Sequence, residues 1–354
     1  MRRAIQPAFS RGHHQGYTQA IVDTTDDWLG RWEDAARAGT PLDLRKQLMD
    51  LTLAVLMKTI FGRSSGDDIE AVGQAFRMAH REMNLVAAFM PVRLPKWIPT
   101  PSRVRFARAI RVLDDFIVRI VSERRRSGEN GGDIIALLLA ARDQDTGEAM
   151  SSQQIRDEVV SMLSAGHDTV TEALCWTMYL VAQHPEVERR LYQEATSVLG
   201  ERNPVAEDLK ALAYTVSVVE EAMRVYPPVW GILRTATAAD VLGGYAIPAG
   251  ARVVISPYVV HRSPSLWPEP ERFDPDRFSS ERAAGRHRFA YFPFGAGPRL
   301  CVGAQFAMLE VPIVAAMLWR RFAIRLVPGQ SVRPVARISL TANRPIWVQV
   351  AERG

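Results

Sequence analysis

Cysteine is nearly absent from this chain. Its 354 residues include only two, Cys175 and Cys301, too few for a disulfide framework and typical of a chain kept in a reducing compartment. Long apolar runs are missing too. No stretch of about eighteen uncharged apolar residues occurs, which excludes a transmembrane helix. The opening Met1-Arg2-Arg3-Ala4-Ile5-Gln6-Pro7 has no apolar signal core, and a cytoplasmic location is expected. Charge of one sign is scarce: the net charge is +5, mostly from arginine. A nucleic-acid binder concentrates its charge in a patch, whereas the densest run here, Arg124-Arg125-Arg126, reads as a solvated helix end. No nucleic-acid partner is expected, although a mildly basic face for an acidic protein partner stays open. Repeats, low-complexity segments and a clear linker are also lacking, so residues 1–354 are expected to form one domain. What remains is globular: hydrophobic residues make up 47%, enough for a sizeable core.

The first two thirds read as helix after helix. Amphipathic periodicity runs from about Ser10 to Ala38, and Leu44, Leu48, Leu51, Val55 and Leu56 fall at helical spacing within Asp43 to Phe61. Pro91, Pro95, Pro99 and Pro101 punctuate a loop around Trp97, a lid or a plain connector. Further helices are expected at Arg103 to Arg126, Asp133 to Asp143, Ser151 to about Gln183, Pro185 to Leu199 and Leu212 to Val225. The third of these is long and apolar on most sides, with Ser151 or Ser152 as its cap, and should run through the middle of the molecule. After Tyr226-Pro227-Pro228 come short strand-like runs, Gly231 to Thr237, Tyr245 to Ile247 and Arg252 to Pro257, separated by Gly243-Gly244 and Pro248-Ala249-Gly250. An aromatic coil from Trp267 to Phe294 leads into a last helix, Val302 to Phe322, and Ile338 to Val350 looks like a final β pair. The expected fold is mainly α, with small β-sheets towards the C-terminus.

The most informative stretch is Phe294-Gly295-Ala296-Gly297-Pro298-Arg299-Leu300-Cys301-Val302-Gly303, a Gly- and Pro-rich loop ending in a cysteine just before a helix. Backbone N–H groups and the positive end of the helix dipole would face the sulfur and favour its thiolate, a strong ligand for a soft metal. Arg299 sits where it can reach a carboxylate beside that metal. From these residues alone three readings stand: a metal ligand, a buried hydrophobe, or a nucleophile. The last needs a histidine base, and none of the seven histidines is marked as one by its spacing.

The pattern Phe-x-x-Gly-x-Arg-x-Cys-x-Gly, at Phe294, Gly297, Arg299, Cys301 and Gly303, resembles the haem-ligand loop of the cytochrome P450 superfamily. Further segments match in the family's order. Ala165-Gly166-His167-Asp168-Thr169 is similar to its oxygen-activation motif: Gly166 omits a side chain, Thr169 shares its face and offers a hydroxyl, and Asp168 would feed protons. Glu221 and Arg224, with Arg277 of Pro-Asp-Arg-Phe as third member and Arg272 as runner-up, resemble a buried structural cluster that locks the cysteine loop. Arg234 takes the place of a haem-propionate contact, with Val229 to Leu233 lining the substrate pocket, and Arg2 that of a second such arginine. Cys175, in the apolar half of the central helix, reads as core.

The resemblance implies a cytochrome P450 fold, a helical bundle around a long central helix. It also implies haem b (iron protoporphyrin IX) held by Cys301, Arg299, Arg234, Arg2, Phe294, Gly295, Gly303 and Ala165, with Gly166, Asp168 and Thr169 catalytic. The implied activity is insertion of one atom of O2 into a C–H bond of a hydrophobic small molecule. Electrons would come from separate partners such as a ferredoxin and an NAD(P)H-dependent ferredoxin reductase. Arg282, Arg286 and Arg288 are candidates for docking the acidic partner. The match departs from the family in one respect: its N-terminal part, including a tryptophan before the position of Arg2, is expected to be missing. The chain is then a fragment, a mis-called start or a truncated product, and the alternative function is an inactive haem-binding remnant.

Overall fold

The computed structural model describes residues 9, 13–62, 66–89, 100–127, 133–142 and 147–353. Helices α1 (His14–Ala38), α2 (Leu44–Phe61), α3 (Gly66–Phe89), α4 (Pro101–Ser127), α5 (Ile134–Ala140), α6 (Ser152–Val181), α7 (Pro185–Leu199) and α8 (Ala213–Val225) precede all the strands but a two-residue one between α1 and α2, and α9 (Ala304–Arg321) follows most of them. Caps fix several starts. Asp43 accepts from the Lys46 N–H at the head of α2, and Asp133 from the Ala136 N–H at the head of α5. At α6, Ser151 and Gln154 exchange side-chain-to-backbone bonds of 3.2 and 2.8 Å in a capping box.

Helix α6 is the axis of the molecule. It packs on α2, α4, α5, α8 and α9. Its first turns bury one stripe, Ile155, Val159, Met162 and Leu163, whereas from His167 to Val181 only Thr169 and Tyr179 escape full burial. That change from one buried stripe to burial all round is what a helix needs to enter a core from its surface. α3 is not among the helices expected from the sequence. Among its described side chains Val72, Ala75, Phe76 and Ala79 are buried, and their i, i+3, i+4, i+7 spacing carried the signal. The Pro91–Pro99 segment lies outside the described residues.

The strands are short and antiparallel. β1 (Leu42–Asp43), β9 (Trp347–Glu352) and β6 (Phe322–Leu326) form a three-stranded sheet in that order. β2 (Ile232–Thr235) pairs with β5 (Arg252–Ile255), enclosing the hairpin of β3 (Asp240–Leu242) and β4 (Tyr245–Ile247). Its two-residue turn needs positive φ at both positions, 58° at Gly243 and 86° at Gly244. The expected final β pair is corrected. β8 (Leu340–Ala342) pairs back onto β7 (Pro334–Ala336), and β9 joins the other sheet. Pro345 lacks the N–H to extend a ladder, and the adjacent Ile346 carbonyl instead accepts from Leu44 at 2.8 Å. The tail is thereby divided between two sheets.

α9 carries an acid in its core. Glu310 is buried, its Oε1 has no hydrogen-bond partner, and burial pushes its carboxyl up to about 8. A carboxyl whose folded pKa is raised gives stability that is full below the unfolded value of 4.5 and lost as pH rises through about 8. Glu310→Met, of similar length and without polar atoms, is therefore expected to stabilise the protein most in alkali, on the order of 4 kcal/mol near pH 9 and much less near pH 5. Urea unfolding at the two pH values reads the difference, and equal gains would contradict the assignment.

Candidate active site

The cysteine loop is held by its own backbone. The Cys301 N–H donates to the Phe294 carbonyl at 2.9 Å, Leu300 to Gly297 at 3.0 Å and Gly295 to Phe292 at 3.0 Å. Gly295 and Gly297 have φ of 74° and 68°, a region that side chains rarely enter. α9 begins at Ala304, and Cys301 itself is exposed.

Cys301 opens onto a cavity of about 700 Å³. Its walls bring together most of the residues singled out in the sequence: Phe294, Gly295, Arg299, Cys301 and Gly303 from the loop, Ala165, Gly166 and Thr169 from α6, and Arg234 from β2. Leu56, Ile60, Val170, Ala173, Phe306 and Val311 make the rest largely apolar. Val229 and Ile232 line it as well, while Leu233 of the same segment points outward, 65% exposed. Arg2 lies outside the described residues. A Cβ on Gly166 would meet only Leu56, at 3.4 Å. The protein's own packing therefore does not demand glycine there, and the bare surface faces the cavity. α6 is continuous through this point, with the Thr169 hydroxyl donating to the Ala165 carbonyl at 2.7 Å.

Asp168 is placed differently from its neighbour. It does not line the cavity but is buried on another face of α6, its Oδ1 accepting from Arg45 at 2.9 Å and its Oδ2 from the Ser339 hydroxyl. Successive residues on a helix point about 100° apart, which is why Asp168 and Thr169 part company. Arg45 also binds Glu172, one turn on, at 2.6 Å. Sequence reasoning missed Arg45, Glu172 and Ser339; the i, i+4 spacing of Asp168 and Glu172 was the available signal.

The Glu221–Arg224 pair is buried beside this site, both side chains 0% exposed. Arg224 grips the carboxylate with Nε at 2.6 Å and Nη2 at 2.8 Å, and donates to the carbonyls of His261, Pro270 and Arg272. Glu221 also accepts from the Asp274 N–H at 2.9 Å. Arg277 completes the cluster by an ion pair at 3.5 Å that lacks hydrogen-bond geometry, while the runner-up, Arg272, pairs at the surface with Glu269. The cluster thus clamps the coil of residues 261–277, and one link carries it to the cysteine loop: the Phe292 N–H donates to His261 Nε2 at 3.0 Å. Burial and the adjacent Arg224 push His261 down to about 3, which keeps Nε2 an acceptor. Cys175 is fully buried and burial raises its thiol well above the usual range, as core packing requires.

Of the three arginines before the loop, Arg286 is spent internally. Its guanidinium lies 4.3 Å from the Trp267 ring centroid and donates to the Arg277 carbonyl. Arg282 is exposed but paired with Asp274 at 3.0 Å, and Arg288 is exposed over Phe289.

The donor set fits an iron porphyrin: one loop thiol for the metal, Arg234 and Arg299 for two carboxylates, and apolar walls for a flat hydrophobic ring. The comparisons agree. The sequence model of the family described as Cytochrome P450 matches residues 1–349. Cyclooctat-9-en-7-ol 5-monooxygenase of Streptomyces melanosporofaciens is 36% identical over 333 residues, 94% of this chain and 71% of that protein. Pentalenene oxygenase of Streptomyces avermitilis is 34% identical over 97% of this chain and 78% of its own. Among solved structures, the cytochrome P450DA heme domain superposes with a TM-score of 0.91 at 28% identity, covering 100% of this chain and 77% of that one. A retinoic acid-bound cyanobacterial CYP120A1 gives 0.87 at 27%, covering 99% and 78%. The chain belongs to the cytochrome P450 family, and it is a haem-dependent monooxygenase that uses O2, a hydrophobic substrate and redox partners. No helix among the described residues is long and apolar enough to cross a membrane.

Proposed function

We propose that this chain oxygenates a C–H bond of a terpenoid-like hydrocarbon with haem b bound in the 700 Å³ cavity. The observation that carries this reading is one cavity bounded by Cys301 on the loop, by Gly166 and Thr169 on α6, and by apolar side chains over most of the remaining wall. An apolar wall selects substrate by buried area and excludes water. The two Streptomyces relatives support the class, since their names refer to cyclooctat-9-en-7-ol and pentalenene.

When bound, haem would supply the activation of O2, favoured by electron donation from a thiolate ligand. Cys301 would hold the iron, with Arg234 and Arg299 holding the propionates. The Thr169 hydroxyl, whose O–H donates to Ala165 O, offers its oxygen as an acceptor at the cavity wall and would steady water there. Asp168 would hold the proton supply behind it. Electrons would arrive from a ferredoxin and its NAD(P)H-dependent reductase, docking where Arg288 and Arg282 are exposed.

Thr169→Ala tests the oxygen-activation role. NAD(P)H consumption is expected to continue while product per NAD(P)H falls about tenfold or more and peroxide rises. Unchanged coupling would remove Thr169 from the assignment. Screening terpenes by their shift of the haem spectrum tests the substrate class, and a strict preference for polar or charged compounds would exclude it.

A further inference from the structure

We propose that Glu172 is a positioning residue of this site, its charge deciding whether Arg45 holds Asp168 fast or releases it for proton delivery. The inference rests on the reading of Asp168 and Thr169 given above and adds its regulation.

The geometry is a contest for one cation. Arg45 reaches in from α2, with Nη2 2.9 Å from Asp168 Oδ1 and Nε 2.6 Å from Glu172 Oε1. The two carboxylates stand one turn apart on α6, with side chains 3% and 1% exposed. Arg45 forms part of the floor of a second cavity of about 410 Å³, whose rim carries Lys46, Asp50, Arg77, Arg337 and Arg344. Solvent protons therefore have a polar approach to the cluster through a cavity that shares no lining residue with the substrate cavity. One guanidinium balances one carboxylate. With both acids ionised the buried group carries a surplus negative charge, which is costly in a low dielectric.

The cost falls on Glu172. Burial pushes its carboxyl up to about 7, opposed by Arg45 and assisted by the charge of Asp168. The groups that act on it are Arg45 from α2, Asp168 and the Cys175 thiol from α6, and the Thr341 hydroxyl from β8, with Asp43 at the N-cap of α2 acting on Cys175. Two states follow. Below about pH 7 Glu172 is neutral and Arg45 serves Asp168 alone, so Asp168 stays paired and turned from the cavity. Above that pH Glu172 is ionised and shares the guanidinium. That sharing loosens the hold of Arg45 on Asp168, freeing its carboxylate to pass protons from the outer cavity towards Thr169.

The experiment is a pH series on the haem-loaded protein, with product per NAD(P)H as one readout and the pH-difference infrared spectrum as another. Wild type is expected to gain coupling several-fold between about pH 6 and 8, and its difference spectrum to contain, besides the bands of Glu310 and Glu220, a further carboxylic-acid C=O band that disappears over the same range. In Glu172→Gln that band is absent and coupling stays flat at the wild-type acid value. Glu172→Asp restores both, with their midpoints moving together, and serves alone if the glutamine variant does not fold. A glutamine variant that keeps the pH rise or the band, or an aspartate variant whose midpoints diverge, overturns the inference. Thr169→Ala separates the layers: if it uncouples turnover, a failure at Glu172 sinks only this inference, and if it does not, both fall.

Discussion

Replacing Cys301 by serine is expected to abolish product formation down to the level of free haem, and to remove the red-shifted carbonyl spectrum that marks a thiolate-bound iron. The change is nearly isosteric, and the side chain is exposed at the loop mouth, so the fold should survive with its melting temperature almost unmoved. What is lost is the soft, electron-rich donor, since serine offers a hard oxygen that remains protonated. Cys175→Ser is the control. That thiol is fully buried in α6, and a hydroxyl there strands a polar group, costing about 1–3 kcal/mol while leaving the spectrum of the folded fraction as in wild type. The two substitutions thus separate along different readouts, one spectral and one thermodynamic. A Cys301→Ser protein with the wild-type carbonyl spectrum would end the assignment of the iron ligand, and with it the proposed orientation of the cavity.

How far the sequence disclosed this site depends on how local each signal was. The cysteine loop was readable because its glycines, arginine and cysteine lie within ten consecutive positions and are held by short-range backbone bonds such as Cys301 to Phe294. The central helix was readable because periodicity and a Ser-x-x-Gln capping box lie along one segment. Arg277 was identifiable because Pro-Asp-Arg-Phe is a compact motif. The Arg45 clamp was not, because its partners are 123 and 127 residues away in the chain, and no spacing rule links them. Asp168 shows the same limit at single-residue scale: adjacency to Thr169 gave a common motif, but helical rotation gave opposite surroundings. Arg286 looked like a docking charge because sequence shows charge and not the Trp267 and Phe278 rings on which its guanidinium lies. The division of the tail between two sheets turned on Pro345 and on a bond to α2, a tertiary competition that a run of β-formers does not reveal.

The largest loss of stability is expected from Arg224. Its guanidinium, on a side chain 0% exposed, makes two bonds to Glu221 and three to the carbonyls of His261, Pro270 and Arg272. Arg224→Ala would leave the buried Glu221 with only the 3.5 Å ion pair to Arg277 and the Asp274 N–H, and three carbonyls without this donor, a loss of about 3–5 kcal/mol against a total stability of only about 5–15 kcal/mol. Because His261 passes the clamp on to Phe292, haem retention is expected to fall with stability. Arg224→Lys should rescue little: one ammonium has three donors on a flexible stem and cannot span five bonds set by a planar fork. Arg277→Lys should be much milder, since Arg277 contributes one ion pair at 3.5 Å and one bond to the Glu269 carbonyl, both within reach of a single ammonium. The order of unfolding midpoints is therefore wild type, then Arg277→Lys, then Arg224→Lys, then Arg224→Ala. Were Arg224→Lys to match wild type in midpoint and in haem content, the fork geometry would not be what holds the coil behind the cysteine loop, and the clamp would reduce to simple charge balance.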